Sequence, residues 1–143
     1  MKLEIFALVL FSMLATTANA DPWLCVKEDA TGFIFKNGSW EQGRFNVEGQ
    51  KYILRKLKQG EYFFGARKQT YGLFVIGDDT SGLPCDDVSQ PGFFICLAAD
   101  SEFKFSTKSG RFLMTHTAGY LDGKDDAGSA PFISRGRCSK LGG

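Results

Sequence analysis

Between Asp21 and Gly143 no stretch of the chain keeps a helical period over ten residues. Short apolar runs recur instead, cut every eight to twelve residues by Asn37-Gly38, Glu48-Gly49, Gln59-Gly60, Gly77-Asp78-Asp79, Gln90-Pro91-Gly92, Ser109-Gly110 and Asp122-Gly123. Glycine supplies the positive φ that tight turns need, and proline and the short polar residues start them. The runs that remain are Thr31–Lys36, Arg44–Val47, Lys51–Leu57, Tyr62–Ala66, Tyr71–Ile76, Gly92–Ala98, Glu102–Thr107, Arg111–Thr117 and Ala130–Arg135. Short strands at this spacing predict an all-β fold, a single small antiparallel β-sandwich or barrel of about 7–9 short strands.

One hairpin can be read in register. A loop of two or four residues around Ser109-Gly110 puts Phe103, Phe105, Phe112, Met114 and His116 on one face. Lys104, Ser106, Lys108, Arg111 and Thr115 then share the other face, with Leu113 as its apolar exception. An odd loop would mix phenylalanine with lysine on both faces. The ribbon is therefore expected to be half-buried, its basic side toward water. His116 ends the apolar face, where a core-edge histidine with local partners is the expected role, ahead of a general base or proton switch.

The first twenty residues have the layout of a secretory signal peptide. Lys2 is the positive n-region, Ile5–Ala15 the apolar stretch, and Ala18-Asn19-Ala20 the small-x-small cleavage pattern. The apolar stretch falls short of the roughly 20 residues of a membrane span, and no later run is longer. The expected mature chain is one β-rich domain, residues 21–143, secreted or periplasmic. Its four cysteines, Cys25, Cys85, Cys96 and Cys138, are an even set in a small exported chain, the composition of a disulfide-braced fold. Three pairings are open to them. A local closure, Cys85–Cys96, with a clasp of the chain ends, Cys25–Cys138, is the favoured set. No C-x-x-C pair is present, so no zinc site is expected.

A net charge of +1 lacks the basic excess of a general nucleic-acid binder, and no nucleic-acid partner is expected. The charge is nevertheless segregated: Arg44–Lys68 carries seven basic and two acidic residues, Asp78–Glu102 six acidic and no basic ones. Such blocks can steer a charged partner. They can equally neutralise one another on neighbouring strands. The acidic residues Asp78, Asp79, Asp86 and Asp87, in a segment read as a loop tethered at Cys85, are candidate binding residues.

Little in the chain points to catalysis. A single histidine excludes any two-histidine metal site. Ser81 lies in Asp79-Thr80-Ser81-Gly82, but the G-x-S-x-G elbow is absent. The acid pairs Asp78-Asp79, Asp86-Asp87 and Asp125-Asp126 lack the spacing of a calcium loop and are expected to serve as turn and solvating residues. No catalytic residue, metal or cofactor is assigned.

Two resemblances add to this. Gly38-Ser39-Trp40 resembles the glycine-x-tryptophan signature of lipocalins and other calycins. The resemblance implies an up-and-down barrel in which Trp40 closes one end around an apolar ligand. Thr31-Gly32-Phe33, Trp40–Phe45, Lys51-Tyr52-Ile53-Leu54, Phe103-Lys104-Phe105, Arg111-Phe112-Leu113, Gly119-Tyr120 and Pro131–Cys138 together resemble small exported bacterial proteins of unassigned activity. That likeness lends no catalytic role to any residue. The reading that follows is an exported, non-enzymatic binding or interaction module of unknown protein partner, inhibitor-like in action. The alternative is a calycin-like carrier of a small apolar ligand, with Trp40 in its site. A small hydrolase using Ser81 or an acid pair with His116 comes after both.

Overall fold

The computed structural model describes residues 21–63, 69–78, 82–90, 92–126, 128 and 130–142, and of residues 87–90 the backbone alone. Nine strands form among them: β1 Trp23–Lys36, β2 Ser39–Arg44, β3 Lys51–Lys56, β4 Tyr71–Val75, β5 Gly82–Gln90, β6 Phe93–Leu97, β7 Ser101–Ser106, β8 Arg111–His116 and β9 Phe132–Lys140. Every pairing is antiparallel, and β3 to β9 follow one another in chain order.

The long first strand organises the sheet. β2 returns along its second half, from Lys36↔Ser39 to Thr31↔Arg44, and β3 pairs with its first half, from Val26↔Lys51 to Trp23↔Leu54. Both therefore lie on one edge of β1, as two parts of a single return path interrupted by residues 45–50. Hydrogen bonds from Phe45 N to Ala30 O and from Lys27 N to Gln50 O hold that interruption against β1. On the other edge β9 pairs with β1 from Trp23↔Lys140 to Gly32↔Phe132. The result is an antiparallel barrel of eight strands with one extra strand, β2. Closure pairs the β1 and β9 edges that an open meander would leave, while β2 pairs with β1 alone.

The interior is filled by side chains. Phe103 and Phe105 of β7, Phe112 of β8, Leu54 of β3 and Leu73 of β4 are buried, with Phe94, Tyr52 and all four cysteines. Trp23 meets Phe105 edge-on at 4.9 Å, and Tyr71 meets Phe94 in the same way at 4.9 Å. Gly136 is needed at the seam. A Cβ there would run into the Val26 carbonyl and come within 2.5 Å of the Phe112 ring, which occupies that space. Outward positions carry Lys104, Arg111, Arg135 and Arg137 between the buried residues. No helix among the described residues is long and apolar enough to cross a membrane.

The hairpin register expected from sequence is present. Ser106↔Arg111 closes a loop over residues 107–110, and Phe105↔Phe112 and Phe103↔Met114 face inward. Other expectations need correction. β1 begins at Trp23 rather than Thr31; the inward Lys27 and the bulge between Lys27 and Asp29 hide the two-residue period of its first half. The expected strand Arg44–Val47 is instead β2, ending at Arg44, and Tyr62 and Phe63 lie outside any strand. The segment read as an acidic loop holds β5 from Gly82 onward. Gly82, Pro84 and the acid pair there are poor strand formers in isolation, and pairing with β4 and β6 overrides that preference.

Both disulfides join residues directly opposite in register, Cys25–Cys138 across the closing seam and Cys85–Cys96 across β5 and β6. Two buried disulfides are the bonds of a chain matured in an oxidising compartment. Their sequence separations, 113 and 11 residues, make them unequal. In the chain-entropy account the long bridge stabilises by about 5 kcal/mol and the short one by about 3. Paired replacement of Cys25 and Cys138 by alanine is thus expected to lower the denaturation midpoint in urea further than the same change at Cys85 and Cys96. Equal losses would mean that loop length does not govern either bridge.

Candidate functional site

The apolar pocket of greatest interest lies on the β1–β2 hairpin, outside the barrel interior. Asn37 and Gly38 both take positive φ, 50° and 80°, the two-residue turn that an Asn-Gly pair favours. It sets Phe35 opposite Trp40, their rings 5.4 Å apart. From the buried Ala30, two-residue alternation puts Gly32 and Ile34 on the inner side of β1. Phe33 and Phe35, and with them Trp40, therefore lie on the outer side.

The connection from β8 to β9 folds over this aromatic face. A turn at Gly119, closed by Lys124 N donating to Gly119 O at 3.0 Å, places Tyr120 edge-on to Trp40 at 5.6 Å. Trp40 Nε1 donates to Asp125 Oδ1 at 2.8 Å, so its polar edge is already satisfied within the protein. Phe33, Trp40, Thr117, Tyr120, Leu121 and Pro131 line a pocket of about 430 Å³. Phe33 is 54% exposed, Tyr120 61% and Leu121 75%. Large apolar side chains left in water together, around a concave space, are the usual mark of a contact site.

Trp40 thus belongs to a candidate site, but not as the end-plug of the barrel that the calycin resemblance implies. The tryptophan packed into the barrel is Trp23, which the sequence reading did not single out. Its signal was alternation, since Trp23, Cys25 and Lys27 share a face. The charged run Lys27-Glu28-Asp29 concealed it.

The other candidates separate from this pocket. His116 Nδ1 lies 3.0 Å from Ser101 Oγ and 3.9 Å from Asp100 Oδ2, and its ring stacks on Phe132 at 5.5 Å. Serine, histidine and aspartate do meet here, yet both oxygens approach the same ring nitrogen. A relay needs the hydroxyl on one nitrogen and the carboxylate on the other. The contact is that of a core-edge histidine. Ser81 and Asp79 lie outside the described residues, as does the side chain of Asp87. Asp78 is half-buried in the turn after β4, and Asp86 is exposed on β5, opposite Ile95. Among the described residues no three acidic, histidine or cysteine side chains converge as a metal site requires.

A buried cation was also missed. Lys27 is only 7% exposed, and its ammonium sits over the rings of Phe132, at 4.7 Å, and Tyr52, at 5.5 Å. Burial holds its pKa below the ordinary lysine value. The rings offset part of the lost hydration.

The fold is a disulfide-braced antiparallel β-barrel with a filled interior and an apolar pocket on its outer surface. Comparison with protein-family models, curated proteins and solved structures finds no match.

Because burial lowers the folded-state pKa of Lys27, protonation of its amine favours the unfolded chain, and the penalty is full below the folded pKa. Lys27→Met is expected to raise the thermal midpoint at pH 7. The advantage should shrink as pH rises through the lowered folded pKa toward 10.5, where wild type no longer carries the buried charge. A pH series of melting curves for both proteins measures this. A pH-independent difference would assign the effect to packing alone.

Proposed function

We propose that this chain is a non-enzymatic binding module, secreted or periplasmic, that holds a small apolar ligand in the pocket beside Trp40. The N-terminal apolar stretch with its Ala18-Asn19-Ala20 end and the two disulfides support the exported setting. One observation carries the binding role: Phe33, Tyr120 and Leu121 stay exposed around a concave space whose tryptophan has its N–H already bonded to Asp125. Such a site offers ring faces and aliphatic surface rather than hydrogen bonds, and so selects by shape and apolarity. The ligand sits outside the barrel because Phe103, Phe105, Phe112 and Leu54 occupy the interior. The acidic residues Asp78 and Asp86 contribute nothing to this lining.

Fluorescence titration with the neutral probe N-phenyl-1-naphthylamine tests the reading. Leu121→Asp, at a highly exposed position, is expected to weaken probe binding about tenfold or more, which corresponds to about 1.4 kcal/mol, with an unchanged melting temperature. Trp40→Ala should act in the same direction. Probe binding unaltered by both substitutions would remove the pocket from consideration.

A further inference from the structure

A second concave surface lies on the outer face of β7, β8, β9 and β1. Register sets two rows across these strands. Lys104↔Leu113↔Arg135 forms one and Ser106↔Arg111↔Arg137 the other. Both rows point outward, since Phe103, Phe105, Phe112, Ser134, Gly136 and Cys138 take the alternate, buried positions. Together with Phe93, Phe112 and Glu28 they line a groove of about 600 Å³.

The charges in this groove are not balanced from within. Arg111 and Arg137 stand directly opposite one another, and like charges at opposed positions repel. Arg111 has no acidic partner among the described residues. Glu28 is shared between Arg135 at 3.5 Å and Arg137 at 3.4 Å, both longer than a well-made charged hydrogen bond. Lys104 is taken by Glu102 at 2.9 Å. Between these cations Leu113 is 53% exposed, and Phe93 at the groove's end is also exposed.

We infer that this groove is a binding site for a single amphiphilic anion, an alkyl phosphate, with its head on Arg111 and Arg137 and its chain along Leu113 and Phe93. Arg111 and Arg137 are opposed on adjacent strands, their Cβ atoms about 5 Å apart, and two such guanidinium side chains suit a doubly charged tetrahedral head that can accept from both. One carboxylate is matched by one guanidinium fork. Glu28 at the groove's side disfavours a run of acidic residues, as on an acidic peptide. The concave space accommodates one chain of small-molecule size, so the source is a monomeric amphiphile rather than a membrane surface. The site is separate from the Trp40 pocket and does not depend on that reading.

The test is calorimetric titration of the oxidised protein with dodecyl phosphate below its micelle concentration. Inorganic phosphate, dodecyl maltoside and vesicles containing phosphatidic acid are titrated in parallel. Wild type is expected to bind the dodecyl phosphate monomer, more weakly as salt rises, and to bind inorganic phosphate and the neutral amphiphile at least about tenfold more weakly. Arg111→Gln and Arg137→Gln should each weaken monomer binding about tenfold. Arg111→Gln should leave the ligand-free melting temperature equal to or above that of wild type, because a repulsion is removed. Trp40→Ala should bind dodecyl phosphate as wild type does. Unchanged affinity in both arginine variants would overturn the proposal. So would equal binding of the neutral amphiphile, or binding to vesicles without binding to the monomer.

Discussion

Everything in this molecule depends on the pairing of β1 with β9. It joins the two ends of the described chain over Trp23–Gly32, buries Cys25–Cys138 across the seam, and turns a meandering sheet into a barrel. The contact is as non-local as the chain allows, so its cost is the entropy of bringing distant segments together. The disulfide offsets that cost in the unfolded ensemble. Gly136 lets the strands meet without displacing Phe112. Without this seam β1 and β9 would each expose an unpaired edge, and the aromatic core would open to water.

Closure also decides where binding can occur. Eight strands enclose a space that side chains can fill, and here the rings of Phe94, Phe103, Phe105 and Phe112 with Leu54 and Leu73 do so. Any ligand must therefore be met on the outside. Two outer surfaces carry the chemistry for it, one aromatic and electrically quiet around Trp40, the other cationic with an apolar floor around Leu113. The first offers ring faces and aliphatic surface, the second guanidinium groups beside an exposed leucine.

The buried Lys27 marks the boundary of ordinary core rules. It follows a face that begins with Trp23 and Cys25, and the bulge after it returns the strand to its alternation at Ala30. Its ammonium rests between ring faces instead of beside a carboxylate. A charged residue at an inward position is what disguised the first half of β1 as loop. In β5 the disguise was Gly82, Pro84 and Asp86, residues that seldom choose a strand and do so here because both neighbours supply partners.

The all-β class, the register of the Phe103–His116 hairpin and the positions of most turns were legible along the chain, and the cysteine pairing was favoured there but left open among three. Each rests on information spread over a few residues: strict alternation, an Asn-Gly or Ser-Gly turn, or the short interval between Cys85 and Cys96. The barrel, the role of Trp23, the outward placement of Trp40 and the opposition of Arg111 to Arg137 were not. Those follow from which strands become neighbours, and neighbours are chosen by the energy of the closed sheet as a whole. Residues separated by the length of the fold, such as Phe33 and Leu121, share a pocket only once β1 has met β9.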